Sequence, residues 1–235
     1  MQLARLLPIL AVVVLAGCGG GDGGTAGDDT SSGVTTVPTQ PPPATTGATT
    51  NGECRDVEAP AGRADGSEQA PEQDLDAAKT YRLVFETSCG SFTVTLDQKL
   101  APKTAASLVS LVRKGFYDEM VFHRIVPGFV IQGGDPTQEG TGGPGYSTVD
   151  KPPATATYTK GVVAMAKSGA EAPGTSGSQF FVVTAEDAGL PPEYAVVGKV
   201  TTGLDVVEQI GTLGDPATEL PLQPIVIDKV TVQES

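Results

Sequence analysis

Two segments just after residue 80 alternate between large apolar side chains and smaller or polar ones. The large apolar positions are Tyr81, Leu83, Phe85, Phe92, Val94 and Leu96. A period of two is typical of strands that bury one face. Because Cys89-Gly90 lies between the two segments as a turn signal, they predict a β-hairpin.

Helical periodicity follows the hairpin. Ala101-Pro102 predicts a helix start, since proline is favoured in the first turn, and Gly115 predicts its end. Apolar residues recur between them at the spacing of one helix face; they are Ala105, Leu108, Val109 and Val112. A second, shorter helix is predicted near residues 204–210, with Val206, Val207 and Ile210 on one side.

The remaining apolar runs are short and separated by glycine-rich turns, which indicates further strands. They cover residues 125–132, 161–166, 179–184, 195–200 and 225–232. Many short strands with two helices predict a mainly β domain built on a closed or nearly closed antiparallel sheet. We place this domain at residues 80–235.

Residues 1–17 have the features of an export signal. Arg5 precedes an apolar run from Leu6 to Ala16, which is short for a membrane-spanning helix of about 20 residues and typical of a secretory signal. Leu15-Ala16-Gly17-Cys18 resembles a bacterial lipobox, in which cleavage leaves a lipidated Cys18. Several acyl chains anchor a protein stably, so we expect attachment to the cell membrane on its extracytoplasmic side. The alternative is an ordinary secretory signal with an incidental cysteine.

Residues 18–79 are predicted to tether the domain. Residues 19–52 are rich in Gly, Thr, Pro, Asp and Ser and hold too little apolar surface to fold. Residues 53–79 are acidic and rich in Ala and Pro, which favours a solvated spacer over a binding tail. The whole chain of 235 residues carries a net charge of −13. It therefore repels phosphate backbones, and we expect no nucleic-acid partner.

Three cysteines are present. If Cys18 carries lipid, Cys54 and Cys89 remain, and two cysteines in an exported protein favour a disulfide between them. Two unpaired thiols are the alternative. The single histidine, His123, argues against His-rich metal sites, and we expect no metal or other cofactor.

Three segments carry most of the chemical information. They are FHRIVPGFVIQGGD at 122–135, GVVAMA at 161–166 followed by GTSGSQFF at 174–181, and LPPEYAVVGKV at 190–200. With the helix at 101–113, they resemble the cyclophilin-type peptidyl-prolyl cis-trans isomerases over nearly all of residues 80–232. The resemblance implies a closed eight-stranded antiparallel β-barrel capped by two α-helices. It also implies isomerisation of X–Pro bonds in unfolded or partly folded polypeptides without a cofactor. Nothing in the sequence demands a dimer, so we expect a monomer.

The resemblance assigns the catalytic role to Arg124. Rotation about an X–Pro bond crosses a barrier of about 18–20 kcal/mol, and an enzyme needs only to bind the twisted amide better than its planar forms. The prolyl nitrogen gains a lone pair when the amide twists, and a permanently charged guanidinium can donate to it. Without this context, an arginine in a surface ion pair is the alternative.

The substrate-binding residues are also implied by the resemblance. Those matching the apolar proline socket are Phe129, Val130, Phe181 and Leu190, and those matching polar anchors are Gln132 and Gln179. Ala166 and Lys167 match positions beside the substrate backbone, where the contact is mainly through the main chain. Plain core packing is the alternative for the phenylalanines, and satisfying buried backbone groups is the alternative for the glutamines.

Four positions need separate comment. Tyr194 stands where many family members have His, and Val130 stands where Met is frequent. Gly189 falls near a position often held by Trp, so we expect weak cyclosporin binding. His123 is expected to be a buried, hydrogen-bonded structural residue. A domain that only holds a proline-bearing partner without turnover remains the alternative function.

Overall fold

A computed structural model describes residues 53–235. The elements are β1 Tyr81–Thr87, β2 Gly90–Leu96, α1 Pro102–Arg113, β3 Met120–Val121, β4 Arg124–Val126, β5 Val130–Gly133, β6 Thr148–Val149, β7 Val162–Met165, β8 Thr175–Ser176, β9 Phe180–Val183, β10 Val196–Thr202, α2 Leu204–Gly211 and β11 Val226–Glu234. The predicted signal peptide, Cys18 and the tract at 19–52 lie outside the described residues. Within residues 53–235, no helix is long and apolar enough to cross a membrane.

Nine strands form one curled antiparallel sheet in the order β3-β11-β1-β2-β10-β7-β9-β5-β4, and β6 pairs with β8 apart from it. The mainly β class with two helices is confirmed, but the closed eight-stranded barrel is not, because this sheet has nine strands and is open. Its edge strands β3 and β4 are successive pieces of one segment, interrupted at Phe122 and His123. At this interruption the Phe122 N–H donates to the carbonyl of Ile225 at 3.0 Å, and Ile225 lies just before β11 and not in a strand.

The predicted hairpin and both predicted helices are confirmed. Phe85 faces Phe92 across β1 and β2, and their rings stack with centroids 4.7 Å apart. Pro102 opens α1, and the four apolar positions predicted to form its buried face are all buried. The helix packs this face against the core enclosed by the sheet.

The run at 125–132 is two strands and not the single strand that its apolar content predicts. The chain turns at Pro127-Gly128, where Gly128 has a φ of 71° in the left-handed region that favours glycine. β4 and β5 therefore pair as a hairpin, with Arg124 opposite Gln132 and Val126 opposite Val130. This turn brings two of the predicted site residues together.

Strands β5, β7 and β9 are buried on both faces, which explains their continuous apolar sequences. One face packs into the core enclosed by the sheet and includes Ile131, Val163, Met165, Phe180 and Val182. The opposite face forms a second cluster that includes Val130, Val162, Ala164, Phe181 and Val183. The second cluster is the floor on which the candidate site is built.

Residues 53–79, here called the N-terminal strap, lie against the domain. Composition predicts a solvated spacer; most strap side chains are exposed, but the backbone is held. The Arg63 N–H donates to the Pro136 carbonyl at 2.7 Å, and the Gly66 N–H donates to the Gly143 carbonyl at 2.9 Å. The structure also contains the predicted disulfide, with the sulfur atoms of Cys54 and Cys89 2.05 Å apart.

Candidate active site

A cavity of about 220 Å³ opens on the outer face of the sheet. Its lining residues are Arg124, Phe129, Val130, Gln132, Ala166, Lys167, Phe181, Leu190 and Tyr194. The structure thus brings together every residue predicted to be catalytic or substrate-binding except Gln179. That residue lines a neighbouring cavity of about 570 Å³, which shares Gln132, Ala166 and Lys167 with the first.

Strand register explains why residues far apart in sequence meet here. Arg124 on β4 pairs with Gln132 on β5, and Gln132 pairs in turn with Phe181 on β9. Side chains directly opposite each other in antiparallel strands project from the same face. The guanidinium, the amide and the apolar ring therefore form one row across three strands.

The polar part of the site is a continuous chain of hydrogen bonds. Arg124 Nη1 donates to Gln132 Oε1 at 3.3 Å, and Gln132 Nε2 donates to Gln179 Oε1 at 3.0 Å. Gln179 Nε2 then donates to the carbonyl of Gly142 at 2.9 Å. Both amides are oriented by these contacts, and the chain connects the two cavities.

Arg124 has a second partner that the sequence analysis missed. Its Nε donates to Glu219 Oε2 at 2.7 Å, and the two side chains are 35% and 44% exposed. Glu219 lies in the loop between α2 and β11, and no motif in that loop identifies it. Only the tertiary fold places its carboxylate beside the site.

The apolar part of the site is held by an aromatic cluster. Phe181 and Tyr194 meet edge to face, with centroids 5.5 Å apart, a favourable arrangement for aromatic pairs. Tyr158, which the sequence analysis also missed, is fully buried behind them. Its hydroxyl donates to the Tyr194 carbonyl at 2.7 Å and accepts from the Tyr194 N–H at 3.0 Å. Tyr158 therefore fixes the backbone of the residue that closes the socket.

The side chain of Lys167 is held by several polar contacts beside both cavities. It is only 3% exposed, and its Nζ lies 3.3 Å from Glu193 Oε2. The same Nζ donates to the carbonyls of Ser168 and Glu171 at 3.3 and 3.2 Å and lies 5.5 Å from the centroid of the Tyr194 ring. The buried ammonium is therefore held between the Glu193 carboxylate and the Tyr194 ring at the wall of the socket.

His123 is buried as predicted, but the predicted hydrogen bonding is wrong. Neither ring nitrogen has a hydrogen-bond partner among residues 53–235. Burial lowers the pKa of His123, and the charge of Arg124 lowers it further, against a raising effect of Asp135. The imidazole is therefore neutral at pH 7, and it does not line the cavity.

The site supplies a cation and amide groups beside an apolar socket. Within the described part of the chain, no group of three or more His, Cys, Asp or Glu side chains could hold a metal ion. The arrangement can bind an apolar ring and donate a charged hydrogen bond to an atom next to it.

Comparison with known proteins agrees with this geometry. Residues 82–232 match the family model described as "Cyclophilin type peptidyl-prolyl cis-trans isomerase/CLD". Similar proteins include "Peptidyl-prolyl cis-trans isomerase-like 1" of Aspergillus oryzae, 37% identical over 156 residues that cover 65% of this chain and 95% of the relative. "Probable peptidyl-prolyl cis-trans isomerase A" of Mycobacterium leprae is 37% identical over 166 residues, covering 63% and 90% respectively.

Solved structures show the same likeness. A crystal structure of a cyclophilin type peptidyl-prolyl cis-trans isomerase from Cryptosporidium parvum is 29% identical, with a TM-score of 0.60, covering 66% of this chain and 98% of that one. The fold, the row of site residues and the family match over residues 82–232 agree. This chain belongs to the cyclophilin-type peptidyl-prolyl cis-trans isomerase family.

Proposed function

We propose that this chain accelerates rotation about X–Pro bonds of exported polypeptides, with Arg124 as its catalytic residue, from a lipid anchor at Cys18. The observation that carries the catalytic proposal is the guanidinium held at the rim of an apolar cavity by two hydrogen bonds.

The proline ring of the substrate enters the socket beside Phe181 and Tyr194. Resonance makes the planar imide nitrogen a poor acceptor; twisting restores its lone pair. Nε and Nη1 of Arg124 are engaged with Glu219 and Gln132, which leaves Nη2 to donate to that nitrogen. This bond forms only in the twisted state, so it lowers the barrier without strengthening ground-state binding.

A ligand of a relative supports the substrate class. The Cryptosporidium parvum isomerase, 28% identical, was crystallised in the presence of the dipeptide Ala-Pro. A cavity of about 220 Å³ with an apolar floor suits a single proline ring. The adjoining cavity, with its glycine-rich wall, suits residues that precede the proline.

The test is a protease-coupled assay on a proline tetrapeptide with the full chain. The wild type accelerates the slow isomerisation phase, and Arg124→Ala loses about 10- to 150-fold, the value of one charged hydrogen bond of about 1.5–3 kcal/mol. Arg113→Ala is the matched control, because Arg113 is an exposed arginine paired with Glu234 away from the site. Equal slow phases with and without wild-type protein, together with binding of the peptide, identify a holding domain instead of an enzyme.

The anchor rests on the signal-like residues 1–17 and the lipobox-like sequence before Cys18. Intact-mass spectrometry of the protein from a bacterial membrane fraction tests it. A diacyl or triacyl mass on a chain that begins at residue 18 supports the proposal. The proposal is overturned if the chain has its unmodified mass and if wild type and Cys18→Ser divide identically between the membrane and soluble fractions.

A further inference from the structure

We propose that Glu219 is a positioning residue for isomerisation, which fixes the plane of the Arg124 guanidinium so that Nη2 points into the proline cavity. The inference rests on the proposed role of Arg124 and adds a residue that none of the three motif segments contains. It is drawn from the contact between Glu219 Oε2 and Arg124 Nε at 2.7 Å.

The loop that carries Glu219 is built to hold this carboxylate against β4. Glu219 has a φ of 61°, in the left-handed region that side chains rarely adopt. Its N–H donates to the Asp215 carbonyl at 2.8 Å, and its own carbonyl accepts from the Ile125 N–H at 2.9 Å. The backbone of Glu219 is therefore tied both to its own loop and to the residue next to Arg124.

Two further features make this loop rigid. The Asp215 carboxylate accepts from the N–H groups of Ala217 and Thr218 at 2.7 and 3.0 Å, which closes the turn. Gly214 packs so closely on β4 that an added Cβ would lie 2.1 Å from the Ile125 carbonyl oxygen. Only glycine fits there, so the loop is held in contact with the strand that bears Arg124.

The two partners of Arg124 act on different parts of one planar group. Glu219 holds Nε, and Gln132 holds Nη1. With both bonds in place, rotation and tilting of the guanidinium are restricted. A donor fixed before the reaction is more effective than one that must be oriented during it.

The exposure of the pair argues that its main effect is on catalysis and not on folding. The Arg124 and Glu219 side chains are 35% and 44% exposed, and ion pairs with this exposure contribute little to stability. The same chain offers a comparable pair, 38% and 40% exposed, between Arg55 of the N-terminal strap and Asp228 of β11. That pair is the matched control.

A negative carboxylate also reduces the net charge that Arg124 presents to substrate, an effect that opposes positioning. Glu219→Gln separates the two effects, because the amide oxygen still accepts from Nε but carries no charge. If positioning dominates, this variant stays within about twofold of wild type, and Glu219→Ala loses about 3- to 10-fold in kcat with little change in KM.

The deciding experiment is a double-mutant cycle in the protease-coupled assay with the full chain. Glu219→Ala is measured alone and combined with Arg124→Ala, with Asp228→Ala as control and thermal unfolding recorded for each. We expect Glu219→Ala to reduce kcat in the wild-type background and to cause no further loss of kcat in the Arg124→Ala background. The control Asp228→Ala should retain full activity. Glu219→Asp tolerates the left-handed backbone but shortens the reach, so it is measured in the same cycle and is expected to lose activity as well.

Two results overturn the proposal. Full activity of both Glu219→Ala and Glu219→Asp shows that Arg124 needs no such partner. An equal loss with and without Arg124 shows a merely structural role for the loop. If Arg124→Ala itself is as active as wild type, the catalytic proposal fails first, and that outcome is read from the single variant.

Discussion

The disulfide between Cys54 and Cys89 offers the most quantitative prediction for the fold. Replacing both residues by alanine removes the crosslink but keeps a small apolar side chain at each position. The two cysteines are 35 residues apart in sequence. Loop-closure entropy then gives a loss of about 4 kcal/mol in the free energy of unfolding. For a domain of this size, the melting temperature falls by about 8–16 °C.

The full loss is expected only if the strap stays docked in the variant. The hydrogen bonds from Arg63 to Pro136 and from Gly66 to Gly143 favour docking, but they belong to an exposed segment. If the strap detaches instead, the loss in the free energy of unfolding is limited to the free energy of strap docking. The remaining domain then folds without closing the loop between residues 54 and 89. Limited proteolysis within residues 55–79 distinguishes these two states.

The assay is urea unfolding of the full chain, oxidised wild type against the double variant, with the wild type under reducing conditions as a third sample. Reduced wild type and the variant should unfold at the same lower urea concentration. A change of less than about 1 kcal/mol with the strap still protected from protease would refute the loop-closure reasoning. It would show that the strap already orders the unfolded chain.

Two further predictions concern His123 and Gly189, which lie outside the cavity lining. The pKa of His123 lies below its ordinary 6.5, chiefly through burial, so the unfolded chain binds a proton first. As the pH is lowered below about 6.5, the free energy of unfolding should therefore decrease, by up to about 1.4 kcal/mol per pH unit. His123→Leu should remove that slope in urea titrations between pH 5 and 7, whereas an unchanged slope would assign it to other groups. Cyclosporin should inhibit at least about tenfold more weakly than it does members with Trp near position 189. Gly189 is exposed with a φ of 62°, and equal inhibition constants in the assay would contradict this.

The sequence predicted the elements whose patterns are one-sided. The hairpin at 81–96 and α1 each bury one face, so the period of their apolar residues shows directly. Strands β5, β7 and β9 are buried on both faces, and there the apolar run does not reveal which side chains face the cavity. Pro127-Gly128 is a turn signal that divides the run at 125–132 into two strands. The apolar content of the run favours a single strand and conceals this division.

The site residues in the motif segments converge as the family resemblance implies, but their supporting residues could not be found this way. Glu219 is 95 positions from Arg124, and Tyr158 is 36 from Tyr194; neither pair has a local pattern. The backbone contacts of the N-terminal strap could not be predicted for a related reason. Its polar composition reports exposed side chains correctly but says nothing about backbone N–H groups that bond to the domain.

The position of Arg124 at the edge of the sheet connects the fold to the need for Glu219. Gln132 and Phe181 lie on strands with a neighbour on each side, and Gln132 is also held by its hydrogen bond to Gln179. Arg124 lies on β4, which pairs only with β5, so its outer side has no strand to restrain it. The Gly214–Glu219 loop supplies that restraint through Ile125 and the Glu219 carboxylate. Within the described residues, no strand flanks the outer side of Arg124, and the contact of its guanidinium with the Glu219 carboxylate supplies the restraint that a neighbouring strand would otherwise give.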